Sequence, residues 1–134
     1  MDNIYRMAMK AQVAELAEEL EDVLAHLEGD AAMSRIVYRA AERSLQLLTE
    51  ACIGIAKQTL KGIGKEVPAD ARKTFSKLRM LGLDPTGADW NRIIGMRNAL
   101  VHDYLNLDPE RVLDVIKNKH YQVFLDFSKV RLAE

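Results

Sequence analysis

The sequence predicts an all-α protein, an antiparallel bundle of about five helices. Three observations carry this. Apolar residues recur at spacings of three and four over long stretches, the period of a helix with one buried stripe. Runs of alternating β-branched residues are missing. The three prolines, Pro68, Pro85 and Pro109, fall between the periodic segments, where they act as breaks. At 134 residues the chain has the size of one domain, and residues 1–134 are read as a single helical unit. A core of that size is modest, so an oligomer that buries more surface would fit.

The first helix is expected from about Asp2 to Leu27. Ile4, Met7, Ala11, Ala14, Ala17, Leu20, Leu24 and Leu27 make its apolar stripe, opposite a solvated face of Glu15, Glu18, Glu19, Glu21 and Asp22. Gly29-Asp30 ends it and starts the second helix, with Asp30 as N-cap. The second helix is expected from about Ala31 to Leu60, with Val37, Ala40, Ala41, Ser44, Leu48, Ala51, Cys52 and Ile55 in one stripe. Ile36, Leu47 and Ile53 add apolar surface on other sides, the mark of a central or interface helix. Its polar line of Arg39, Glu42, Arg43, Gln46, Glu50 and Lys57 is a solvated face or, at Gln46 and Glu50, the wall of a site.

Lys61 to Pro68 reads as a loop, followed by a short helix over about Asp70 to Leu81 that Gly82 closes. Asp84 to Gly87, "DPTG", is a turn, and a fourth helix begins near Thr86 or Gly87. "LNLDPE" breaks it, and Asp108 as N-cap with Pro109 at the first helical position starts a last helix that runs to about Val130. Val112, Val115, Ile116, Val123, Phe127 and Val130 are its inward residues.

Several chemistries are excluded. The net charge of −1 gives no overall pull on nucleic acid, so any such contact needs a local patch. A single cysteine, Cys52, allows no intrachain disulfide, and its apolar surroundings mark a buried, inert thiol. His26, His102 and His120 lack metal-ligand spacing and there is no CxxC pair, so neither a metal nor another cofactor is expected. "GIGK" lacks the spacing of a phosphate loop. No apolar run reaches membrane-span length and the N-terminus has no signal-peptide region, which makes the cytoplasm the expected location.

What remains is Gly95 to Tyr104, "GMRNALVHDY". On a helical wheel of about 100° per residue, Asn91, Gly95, Asn98 and His102 fall in one polar line. The glycine leaves room for something to approach the backbone closely. Arg97 shares a second line with Trp90, Ile94, Val101 and Tyr104, about 140° from His102. Arg97 and His102 therefore meet only if the helix loosens before His102, if the arginine stem swings round, or if two copies complete each other across a dimer. The residue types suit phosphate chemistry. Arginine offers phosphate a planar fork of donors. Histidine, with an ordinary pKa of about 6.5, moves a proton near neutral pH. Asn98 can orient a phosphate oxygen or the imidazole. The plain alternative is an arginine paired with a carboxylate and a histidine satisfying last-turn carbonyls.

The pattern Arg97-x-x-x-x-His102-x-Tyr104, with Asn98 after the arginine and "EACIGIA" upstream at Glu50 to Ala56, resembles the HEPN superfamily and, within it, the HepT-like toxins. The resemblance spans the whole chain. It implies a HEPN-like all-α homodimer whose motif lines an interface cleft. It also implies metal-independent RNA cleavage, with Arg97, His102 and Asn98 as the catalytic set. A cognate nucleotidyltransferase antitoxin of the MNT type is implied as well, silencing the toxin by transferring AMP to Tyr104. Gln46, Glu50 and Gly95 stand as possible site walls. A different class of function uses the same cleft: a non-catalytic module that binds a nucleotide or the antitoxin. A purely structural bundle would not need the motif.

Overall fold

The computed structural model describes residues 1–28, 34–102 and 107–133. Six α-helices occur among them: α1 (Asn3–Glu28), α2 (Arg35–Gly62), α3 (Ala71–Met80), α4 (Trp90–His102), α5 (Pro109–Lys117) and α6 (Gln122–Leu132). There is no strand among the described residues, and none of these helices is long and apolar enough to cross a membrane. α1 and α2 are the long pair and run antiparallel. Tyr5 meets Gly54, where a Cβ would stand 3.1 Å from the phenol oxygen. Farther along, Ser44 Oγ donates to Glu19 Oε2 at 3.0 Å.

The expected last helix is two helices, which corrects the count of five to six. α5 ends in a Schellman turn: Lys119 N donates to the Ile116 carbonyl at 3.1 Å and His120 N to the Val115 carbonyl at 2.9 Å. The left-handed residue of that turn is Lys119, at φ 52°. A lysine there gives no glycine signal in the sequence. The break also shifts the helical phase. Tyr121, Phe124, Phe127 and Leu132 point inward, and Val130, expected inside, is 39% exposed.

The stripe expected on α1 holds at Leu20, Leu24 and the partly buried Leu27 but is displaced before them: Val13 and Leu16 are buried, with Val23 beyond, while Ile4 is 80% and Met7 64% exposed. Valine and leucine side chains remove far more apolar area from water than the alanines of the competing line. At α2, Asp30 lies outside the described residues. The described helix starts at Arg35, with Ser34 Oγ accepting from Val37 N at 3.0 Å as its cap. Its far end runs two residues beyond Leu60, to a second Schellman turn through Gly64 at φ 74°. α3 begins after Asp70 as N-cap and closes through Gly82.

α4 starts at Trp90, later than Thr86 or Gly87. Asp84 holds the preceding turn: its Oδ1 accepts from Thr86 Oγ1 at 2.6 Å and Thr86 N at 3.1 Å. Asp84 Oδ2 accepts from the Trp90 indole at 2.6 Å and from Arg79 at 3.2 Å. Trp90 itself stacks on Phe75, centroids 3.8 Å apart, and meets Phe127 edge-on at 5.2 Å. This buried aromatic cluster joins α3, α4 and α6 and fixes where α4 leaves the core.

Candidate functional site

Only Trp90 and Ile94 of α4 are buried. Both lie in the first five residues. Gly95 to Leu100 are half-buried, and Val101 and His102 are exposed. The helix stays regular through His102. The possibility that it loosens there to bring histidine and arginine together is thereby removed. Arg97 lies on the core-facing line of Trp90 and Ile94, and its Nε is buried with no hydrogen-bond partner among the described residues. Asn98 is half-buried on the neighbouring line, one turn before His102. Tyr104 lies outside the described residues.

Gly95 has a neighbour from α3. A Cβ on Gly95 would stand 3.5 Å from Nη2 of Arg72, and that nitrogen donates to the Asn91 carbonyl at 3.4 Å. A guanidinium from α3 thus lies along the polar line of α4. Arg72 was not singled out by sequence reasoning. The signal present was the charge of α3, with Arg72, Lys73, Lys77 and Arg79 and no acidic residue between 71 and 80.

On α2, Gln46 Nε2 donates to Glu50 Oε1 at 3.2 Å. Gln46 lines a shallow pocket of about 220 Å³ with Arg39, Glu42, Arg43 and Leu100, the last from α4. Arg39 is bound to Glu42 at 3.4 Å. Part of the polar line of α2 therefore faces the motif helix. A larger groove, about 770 Å³, opens on the other flank of α4, with Gly95, Met96 and Leu100 on one wall and Val115 and Phe124 on the other. Arg97, Asn98 and His102 do not line it. Of the expected site residues, the structure thus joins Gln46 to Glu50 and aligns Gly95 with Asn98 and His102. Within one chain, Arg97 stands on a different line of the helix.

Cys52 is fully buried on α2, its thiol 3.6 Å from the Phe124 carbonyl, and burial pushes its pKa far above the ordinary thiol range. It is no nucleophile. Among the described residues, no three His, Cys, Asp or Glu side chains are grouped to hold a metal.

The sequence model of the family described as "Ribonuclease HepT-like" matches residues 13–130. The chain belongs to the HepT-like ribonuclease family. A relative, the mRNA nuclease HepT of Shewanella oneidensis, is 32% identical over 93 residues, 68% of this chain and 69% of that protein. Among solved structures, the tri-AMPylated Shewanella oneidensis HEPN toxin in complex with MNT antitoxin matches at TM-score 0.83 and 25% identity, over 100% of both chains. A mutant MntA–HpeT toxin–antitoxin complex matches at TM-score 0.79 and 26% identity, over 98% of this chain and 100% of that one. The six-helix bundle is thus the HEPN toxin fold of the HepT-like family, and "GMRNALVHDY" lies within the matched residues.

Proposed function

We propose that this HepT-like chain is the toxin of a toxin–antitoxin pair and cleaves RNA without a metal, as a homodimer. Arg97, Asn98 and His102 are its catalytic set. The ribose 2′-oxygen attacks the adjacent phosphorus, the bond from phosphorus to the 5′-oxygen breaks, and the products are a 2′,3′-cyclic phosphate and a 5′-hydroxyl. The attacking oxygen gives up its proton to a base and the leaving oxygen takes one from an acid, with His102 in one of these roles. Arg97 stabilises the charge that builds on the phosphorane oxygens, and Asn98 orients an oxygen or the imidazole.

The observation that carries this reading is the place of the motif: "GMRNALVHDY" lies within residues 13–130, which match a ribonuclease family, and α4 holds His102 exposed with Asn98 half-buried one turn before it. A relative of this chain is an mRNA nuclease.

The partner is proposed to be an MNT-type nucleotidyltransferase that moves AMP from ATP to the Tyr104 oxygen, releasing pyrophosphate. The related Shewanella toxin is tri-AMPylated in its complex with such an antitoxin. An AMP phosphate seven residues after Arg97 adds negative charge and bulk where RNA phosphate must come.

Incubating the purified chain with RNA in excess EDTA tests the catalytic reading. Cleavage with 2′,3′-cyclic phosphate ends, or their hydrolysed product, is expected. RNA that is bound but left intact would assign the cleft to a non-catalytic binding module instead.

A further inference from the structure

We propose that Arg72 forms a phosphate-binding subsite on α3 that holds the RNA strand near the phosphate being cut. The inference rests on the ribonuclease reading and adds to it a surface the motif does not contain. α3 carries four cations and no acid, but they are not equivalent. Arg79 is bound to Asp84 and to the Ala88 carbonyl. Lys77 Nζ donates to the Glu66 carbonyl at 2.7 Å. Arg72 and Lys73 are exposed, and neither has a carboxylate partner among the described residues. Among the described residues the one hydrogen bond of the Arg72 guanidinium is a long one, 3.4 Å to the Asn91 carbonyl, so most of its donors are open to a ligand.

Position turns this charge into a subsite. The guanidinium lies over Gly95, on the line that continues through Asn98 to His102. Gly95 and His102 are seven residues apart, about 10 Å along the axis at the rise of an α-helix. A phosphate at His102 and a neighbouring phosphate at Arg72 can therefore belong to one strand following the same face of α4. With a net charge of −1 the whole molecule does not attract RNA. A cation beside the substrate path supplies what the overall charge lacks.

The test uses the full chain carrying His102→Ala, so that RNA is bound but not cut, and a fluorescent single-stranded RNA of mixed sequence. Adding Arg72→Gln should weaken binding roughly tenfold for all sequences alike, the order expected for losing one charge-assisted phosphate contact. The slope of log affinity against log salt should fall by about 0.7, the value for one phosphate on a single strand. Arg72→Lys should keep most of that slope. In the cleaving protein, Arg72→Gln should raise KM with little change in kcat, which a general loss of fold would not do. Unchanged affinity and salt slope, in a chain whose His102 form still cleaves RNA, would overturn the subsite and leave the ribonuclease reading standing. If the His102 form neither binds nor cleaves RNA, the ribonuclease reading fails first and the subsite fails with it.

Discussion

Asp84 shows how one carboxylate can set the geometry of a distant motif. Burial alone would raise its pKa, but hydrogen bonds from Thr86, Trp90 and Arg79 outweigh burial and hold it below the ordinary value. A carboxylate lowered in this way stabilises the fold above its unfolded pKa of about 3.9, and the benefit is lost as pH falls through the folded value. Acid unfolding monitored by circular dichroism should therefore be less steep below about pH 4 in Asp84→Asn than in the parent chain. Asp84→Ala leaves the buried Trp90 N–H unpaired and should cost about 2–3 kcal/mol in urea denaturation. At the motif, His102→Ala should lower RNA cleavage by about 10²- to 10⁴-fold, the range for losing an acid–base group; full activity would remove His102 from the mechanism. The sequence points to the histidine because the residue type carries the chemistry. It gives no signal for Arg72, because an arginine on a short basic helix has no signature until the fold lays it over Gly95.

At the scale of elements, the helix ends divide by what their left-handed residue is. Gly64 and Gly82 stand at φ 74° in the turns that close α2 and α3, and glycine is readable as a stop. Lys119 makes the same turn after α5 without a glycine to mark it. A non-glycine residue in that region is strained, so Lys119→Gly should raise stability by about 0.5–1 kcal/mol in the same denaturation assay. A fall in stability would mean that the lysine side chain contributes a contact that offsets the strain. The stripe of α1 holds at Leu20 and Leu24 and departs in the first half of the helix for a different reason. Two apolar lines coexist on that helix, and periodicity alone does not rank them. The line with more large side chains, through Val13, Leu16 and Leu20, is the one buried. The bundle class, the α3 caps and the Asp108–Pro109 start of α5 were readable because each rests on a local rule.

For the whole molecule, the regular course of α4 through His102 sharpens the case for two copies. The Arg97 and His102 lines lie about 140° apart on one helix, so the proposed dimer is expected to build each site from the arginine of one protomer and the histidine of its partner. Mixing Arg97→Ala and His102→Ala chains and allowing exchange tests this. Each mixed dimer would hold one intact site, and activity should recover to roughly a quarter of wild type under random pairing in a two-fold dimer. No recovery despite exchange would place both groups in one chain. At the same scale, Tyr104→Phe should fold, stay toxic and escape silencing by a co-expressed nucleotidyltransferase. Mass spectrometry of the parent chain treated with that enzyme and ATP should find AMP on the peptide containing Tyr104.

The anchoring of α4 at one end has a consequence for how the sequence can change. Trp90 and Ile94 tie the helix to the core, whereas Asn98 and His102 add little to that packing. Fold and motif are thus under nearly separate constraints. Substitutions at residues 98 and 102 can alter the chemistry while leaving the melting temperature almost unmoved, as surface changes away from core contacts usually do. Variants of this chain can therefore lose or retune the proposed activity in single steps without passing through an unfolded intermediate.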